Sequence, residues 1–151
     1  MTNEDLKIKF AELVPVISFE EGGEWLNAVV PAQELRPFVL KLRSTSGLDF
    51  DYLFCLTCVD WKIDFTMVYH FSSTTHRHNI VVKAKLDRNN PEIETVSDVW
   101  RTAEMLEREV YDLFGVKFLH HPDLRRLIMP DDWVGWPLRK DFEDPVNMIK
   151  L

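Results

Sequence analysis

The sequence predicts an α+β fold: a mixed, largely antiparallel sheet covered by helices, with an extended C-terminal arm. Three observations carry that expectation. Residues 52 to 86 alternate with period two and are rich in β-branched and aromatic residues, the pattern of paired strands. Apolar stripes at helical spacing precede and follow this block without alternating with it strand by strand, which favours α+β over α/β. The last third contains Pro122, Pro130 and Pro137 and has no regular apolar period, so it is expected to cross the domain surface without regular structure.

In chain order, Leu6, Phe10 and Leu13 follow Asn3, a suitable N-cap, and predict a first helix ended by Pro15. Residues 14–19 and 25–30 flank Glu20-Glu21-Gly22-Gly23 and predict a hairpin. Pro31 suits a helix start, and Leu35, Phe38, Val39 and Leu42 form a stripe closing at Gly47. Pro37 fits poorly inside that helix, since an interior proline costs about 3 kcal/mol, and a start nearer Leu35 is expected. YLFCLTCVD, FTMVYHFSS and NIVVKAKLD then read as three antiparallel strands. A helix is expected from Ser97, its N-cap, to Phe114, with Val99, Trp100, Ala103, Leu106, Val110, Leu113 and Phe114 on one side and Gly115 as the stop.

With 151 residues, one domain is expected: a core over residues 1–119 and an interface arm over 120–151. A net charge of −7 argues against nucleic acid and an anionic leaflet as partners. The longest run free of charge, Tyr52 to Val59, falls far short of the roughly 20 residues of a membrane span. The start, MTNEDLKIKF, has acids where a signal peptide needs a basic end and an apolar block, so a cytoplasmic location is expected.

No catalytic, cofactor-binding or metal residue is expected. Cys55 and Cys58 form a CxxC, but on a strand positions three apart point to opposite faces, and two thiols fall short of the four an iron–sulfur cluster normally takes. His120 and His121 lie near Asp123, Asp131 and Asp132, yet adjacent histidines diverge and no dense metal-ligand spacing is present. Gly115 and Gly135 make no phosphate-cradling loop, and no nucleophile elbow occurs.

Glu107 to Phe142 carries thirteen acidic and basic residues among thirty-six, with two tryptophans and a His pair. Arg and Trp anchor interfaces, which makes this stretch a candidate docking surface. The interface residues expected are Glu107, Arg108, Glu109, Asp112, His121, Asp123, Arg125, Arg126, Asp132, Trp133, Trp136, Arg139 and Lys140. Two readings stay open. Either Arg125, Arg126, Arg139, Trp133 and Trp136 include the docking hot spots, or Glu107, Glu109 and Asp112 pair internally with the arginines and hold the arm to its own helix.

Glu107-Arg108-Glu109, Asp112-Leu113-Phe114-Gly115, His121-Pro122-Asp123-Leu124-Arg125-Arg126 and PDDWVGWPLRKD from Pro130 to Asp141 together resemble the signature of the thirty-kilodalton subunit of respiratory complex I, the C-type subunit of bacterial NADH-quinone oxidoreductase. An FDYL segment at Phe50 to Leu53, leading to Val59-Asp60-Trp61, fits the same family. The resemblance implies an accessory, cofactor-free subunit in the peripheral arm of a proton-translocating NADH:quinone oxidoreductase. It would hold together the quinone-site subunit and the iron–sulfur subunits, with NADH, FMN, iron–sulfur clusters and quinone bound elsewhere in the complex. It also implies a peripheral place on the cytoplasmic side of the cell membrane, reached only through the complex. The family's relatives in membrane-bound hydrogenases and ferredoxin-linked complexes make an equivalent subunit there the alternative, and a free-standing metal hydrolase using the His pair is a third reading. Because the chain stops nine residues after Phe142, the unfused form of the subunit is expected.

Overall fold

The computed structural model describes residues 1–149. Helix α1 (Asn3–Leu13) is capped by Thr2, one residue before the expected cap Asn3. The Thr2 hydroxyl accepts from the Asp5 amide at 3.2 Å while the Asp5 carboxylate accepts from the Thr2 amide at 2.9 Å, a reciprocal capping box. Strands β1 (Ser18–Glu20) and β2 (Leu26–Val29) form the antiparallel hairpin, shorter than the sequence suggested.

Helix α2 (Ala32–Ser44) begins directly after Pro31 and keeps Pro37 within it, which corrects the expected start near Leu35. Pro37 removes only the amide that would have bonded to the Gln33 carbonyl. Leu35, Phe38, Val39 and Leu42 are fully buried, and burying one such side chain contributes about 1.5–3 kcal/mol, so the stripe outweighs the proline.

Strands β3 (Tyr52–Asp60), β4 (Asp64–Ser73) and β5 (His78–Asp87) pair antiparallel in that order, as the alternation predicted. β2 joins β5 in parallel, so the sheet order is β1-β2-β5-β4-β3 and the sheet is mixed. One sheet face carries Phe65, Met67, Tyr69, Phe71, Ile80, Val82, Ala84 and Leu86 into the core. All three helices cover that face. Phe10 of α1 meets Phe38 of α2 edge-on at 5.3 Å, and Phe114 meets Phe65 at 6.2 Å.

Two short strands that the sequence did not announce, β6 (Glu92–Glu94) and β7 (Lys117–Leu119), pair in parallel and bracket helix α3 (Thr102–Phe114). α3 starts five residues later than expected. The amides of Val99 and Trp100 both bond back to the Val96 carbonyl, a tight turn that swings Trp100 onto Phe71 at 4.8 Å and its indole N–H to the Phe50 carbonyl at 3.2 Å. Ser97 caps nothing; its hydroxyl lies 2.8 Å from the Thr95 hydroxyl. Gly115, at φ +76°, ends α3 with its amide on the Tyr111 carbonyl, as expected of a C-terminal glycine.

From His120 to Ile149 the chain forms turns and bends and, among the described residues, no helix or strand. Lys150 and Leu151, the end of the expected arm, lie outside the described residues.

Candidate functional site

The C-terminal half of α3 and the arm that lies across it form one polar clasp, built around two carboxylates that have no access to solvent. The first is Asp112. It stands near the helix C-terminus, where the helix dipole disfavours an acid, and it is tolerated because the arm supplies donors. The amides of Ile128 and Met129 donate to Oδ2 at 2.7 and 2.9 Å, and an Arg126 Nη donates to Oδ1 at 3.1 Å. Burial alone would raise this carboxyl; the two amides and the guanidinium together hold it below its ordinary value.

Arg126 is correspondingly consumed. Besides Asp112 Oδ1 it donates to the carbonyls of Asp112, Trp133 and Gly135 at 2.8 to 2.9 Å, and its guanidinium lies over the Trp136 ring at 4.5 Å. Arg108 reaches from the helix to the carbonyls of Arg125 and Arg126. Trp136 packs edge-on against Tyr111 and sits where a side chain on residue 115 would have to go: a Cβ on Gly115 would meet the indole at 2.5 Å. Glycine is therefore required there twice, for its positive φ and for this close approach.

The second carboxylate is Glu107. Its oxygens accept from the Thr95 hydroxyl at 2.5 Å and the Val96 amide at 2.8 Å. His121 Nε2 is 3.7 Å away, but that ring is already engaged: Nδ1 accepts the Asp123 amide, so the ring proton lies on Nε2 and is donated to the Glu104 carbonyl. The imidazole thus brings no countercharge. Desolvation pushes the Glu107 carboxyl up to about 7 despite the two hydrogen bonds.

Further along, the arm is fixed to the end of α3 and to the sheet. The Leu138 amide bonds the Leu113 carbonyl at 3.0 Å, the Arg139 Nε bonds the Phe114 carbonyl at 2.7 Å, and the Lys140 amide donates to the buried Asp60 at 2.8 Å. Asp60 also pairs with Arg88, whose other nitrogen meets Asp141 at 2.9 Å. Asp60 and Arg88 were absent from the expected site. In the sequence, Val59-Asp60-Trp61 stands out by its resemblance only, and nothing around Arg88 signals its role.

Of the thirteen expected interface residues, then, Glu107, Arg108 and Asp112 lie inside the chain and not on its surface. His121, Arg126, Trp136 and Arg139 are half-buried and bind the arm to the body, Glu109 is half-buried on α3, and Trp133 stacks on Phe142. Asp123, Arg125, Asp132 and Lys140 are exposed. The arm's outward surface adds Ile128, Leu138 and Val134, the last 87 % exposed.

Cys55 is half-buried and Cys58 buried, and both are free thiols; a bulge at Leu53–Cys55 offsets the strand between them and its start. Burial, then the Asp60 charge, pushes the Cys58 thiol up to about 12. The two histidines diverge: His120 turns outward to Glu94 at 2.8 Å while His121 turns inward. Among the described residues no group of three or more His, Cys, Asp or Glu side chains is placed to hold a metal ion, and no helix is long and apolar enough to cross a membrane.

The family profile described as "Respiratory-chain NADH dehydrogenase, 30 Kd subunit" matches residues 28–146, which takes in α2, the three long strands β3 to β5, α3 and most of the arm. The chain belongs to this family. It is 44 % identical to the C subunit of NADH-quinone oxidoreductase from Moorella thermoacetica, over 86 % of this chain and 88 % of that protein. It is 46 % identical to the C/D subunit of the same enzyme from Phocaeicola vulgatus over 81 % of this chain, and spans 24 % of that longer protein. A further relative is the C subunit of the F(420)H(2) dehydrogenase of Methanosarcina mazei, 44 % identical over 93 % of this chain and 89 % of the relative. Two solved structures share the fold. The trypsin-resistant fragment (1-134) of Nqo5 superposes with a TM-score of 0.71 at 26 % identity, covering 82 % of this chain and all of that one. A chain of the archaeal membrane-bound sulfane sulfur reductase superposes at 0.73 with 28 % identity, covering 93 % and 85 %. As a member of this family the chain is a subunit of an oxidoreductase complex.

Proposed function

We propose that the chain is the accessory, cofactor-free subunit of the peripheral arm of a proton-translocating NADH:quinone oxidoreductase, where it holds the quinone-site subunit and the iron–sulfur subunits together. The observation that carries this reading is the clasp. The arm is fastened from within by Asp112, Arg126 and Asp60, which leaves its outer side, with Ile128, Val134, Leu138, Arg125 and Lys140, presented as a shaped surface. A prefastened arm loses little conformational entropy on docking, so more of the contact energy appears as affinity. Redox chemistry belongs to the other subunits in this reading: NADH, FMN, clusters and quinone bind there, and this chain reaches the cytoplasmic side of the membrane only through them.

The Methanosarcina and sulfane sulfur reductase relatives favour a second reading, in which the same scaffold serves a complex with another electron donor or acceptor. A tagged chain purified from its host decides between them. A quinone-site subunit, iron–sulfur subunits and an NADH-oxidising flavoprotein in stoichiometric amounts support the first reading. The same core without an NADH-oxidising partner moves the chain to the second, and recovery of the chain alone argues against both.

A further inference from the structure

Five arginines of the described chain are buried or half-buried, and four of them have their terminal nitrogens answered by oxygen or, at one Nη of Arg108, by the Met105 sulfur. Arg36 meets Asp98 through both Nη atoms, Arg88 meets Asp60 and Asp141, Arg108 donates to the Arg126 carbonyl, and both Nη atoms of Arg126 have acceptors. Arg139 is the exception. Its Nε is fixed on the Phe114 carbonyl at 2.7 Å, its plane lies between the rings of Phe65 at 5.1 Å and Trp136 at 6.0 Å, and the backbone on both sides is bonded to the core. Neither Nη has an acceptor among the described residues, and neither is sealed from solvent.

A cation half-withdrawn from water with no carboxylate on its Nη atoms is costly: burial and the like charge of Arg88 disfavour it, and the nearby Asp141 and Asp60 offset this only in part, so its pKa is lowered. Its orientation is nevertheless fully determined: Nε inward, the Nη pair outward. The surroundings lean the same way. Lys62, Arg88 and Lys140 line the adjacent notch with Asp141, and the other acid nearby, Asp60, is already taken up by Arg88 and the Lys140 amide, on a chain whose net charge is −7. A guanidinium held by Nε with both Nη atoms free has the geometry that receives a carboxylate through two parallel hydrogen bonds.

Building on the proposed subunit role, we infer that Arg139 is the socket for an aspartate or glutamate side chain of a neighbouring subunit, received on its two Nη atoms when the complex assembles. The socket also explains why the arm carries an unpaired cation at its best-fixed point: pairing waits for the partner. Removing one member of a desolvated interfacial charge pair acts mainly on dissociation and weakens binding by tenfold or more.

The test uses the tagged full-length chain in its native host, with Arg139→Met, which keeps packing volume and loses the charge, and Arg139→Lys, which keeps the charge and loses the fork. The expected result is at least a tenfold drop in assembled complex for Arg139→Met and a smaller drop for Arg139→Lys, while the isolated chains melt within about 3 °C of wild type. In an Arg139→Glu background, selection for restored assembly should return an Asp or Glu to Lys or Arg change in a partner subunit. Wild-type assembly by Arg139→Met, a melting loss that matches the assembly loss, or suppressors confined to this chain would each overturn the socket. So would Arg139-dependent binding of the isolated chain to anionic vesicles. Failure of the wild-type chain to recover any oxidoreductase subunit defeats the subunit role itself, whereas recovery by wild type and Arg139→Met alike defeats only the socket.

Discussion

Replacing Arg126 by alanine separates a fastening role from a docking role. The substitution removes four donors, to Asp112 Oδ1 and to the carbonyls of Asp112, Trp133 and Gly135, and a guanidinium stacked 4.5 Å over Trp136. Asp112 would keep the amides of Ile128 and Met129 but lose its ion-pair partner, within a site with no solvent access. Breaking such a buried pair costs about 3–5 kcal/mol. The loss has a ceiling, because once the arm lifts, water reaches Asp112 and the penalty stops growing. The lower figure, about 3 kcal/mol, is therefore expected, which for a chain of this size lowers the melting temperature by about 6–12 °C. The assay is a thermal melt of the isolated chain alongside amide exchange of residues 127–136, which should lose protection before the sheet does. Arg126→Lys keeps the charge without the fork and should restore less than half of the loss. A melt within about 2 °C of wild type with unchanged exchange in the arm would refute the fastening role and return Arg126 to the docking surface.

Three further outcomes follow from the same geometry. The Glu107 carboxyl is raised from 4.5 to about 7 in the folded chain, so the stability it contributes is complete below about pH 4.5 and is lost as pH rises through about 7. Over that span the loss comes to about 3 kcal/mol, so Glu107→Gln should gain melting temperature over wild type from pH 5 to about pH 7 and level off above it; a difference independent of pH would contradict the buried, uncompensated state. Gly115→Ala puts a Cβ against the Trp136 indole at a residue of positive φ, and should cost about 2 kcal/mol or more in denaturant melts while shifting Trp fluorescence; an unchanged spectrum would mean that Trp136 is not seated there. Cys58, raised to about 12 and buried, should resist alkylation in the native chain while half-buried Cys55 reacts slowly, a contrast that mass mapping of labelled peptides would show or deny.

The elements that the sequence announced well were those whose burial sets their period: the stripe of α2, the alternation of β3 to β5, and the Gly115 stop. Those it missed depend on partners far away in the chain. β6 and β7 are three residues each, too short to show alternation, and exist because residues 92–94 meet 117–119. The start of α3 was misjudged because Ser97 has the chemistry of an N-cap, while the turn at Val96 and the seat of Trp100 on Phe71 decide the geometry. In the site, a run of charges reads the same whether it faces water or another segment. Only the approach of Ile128 and Met129 to Asp112, sixteen and seventeen residues on, makes that acid internal. Asp112 was the one hint available, because an acid at a helix C-terminus needs a partner.

Site-specific photo-crosslinking in the assembled complex tests the docking of the arm most directly. A crosslinking residue at Val134, which is 87 % exposed on the arm, should join this chain to the quinone-site subunit or an iron–sulfur subunit, and one at Ile63, equally exposed on the turn between β3 and β4, serves as the comparison. Cross-links from position 134 to those subunits are the expected result. A complex that assembles with position 134 free of any cross-link, or linked only to this chain's own residues, would contradict an arm built for docking.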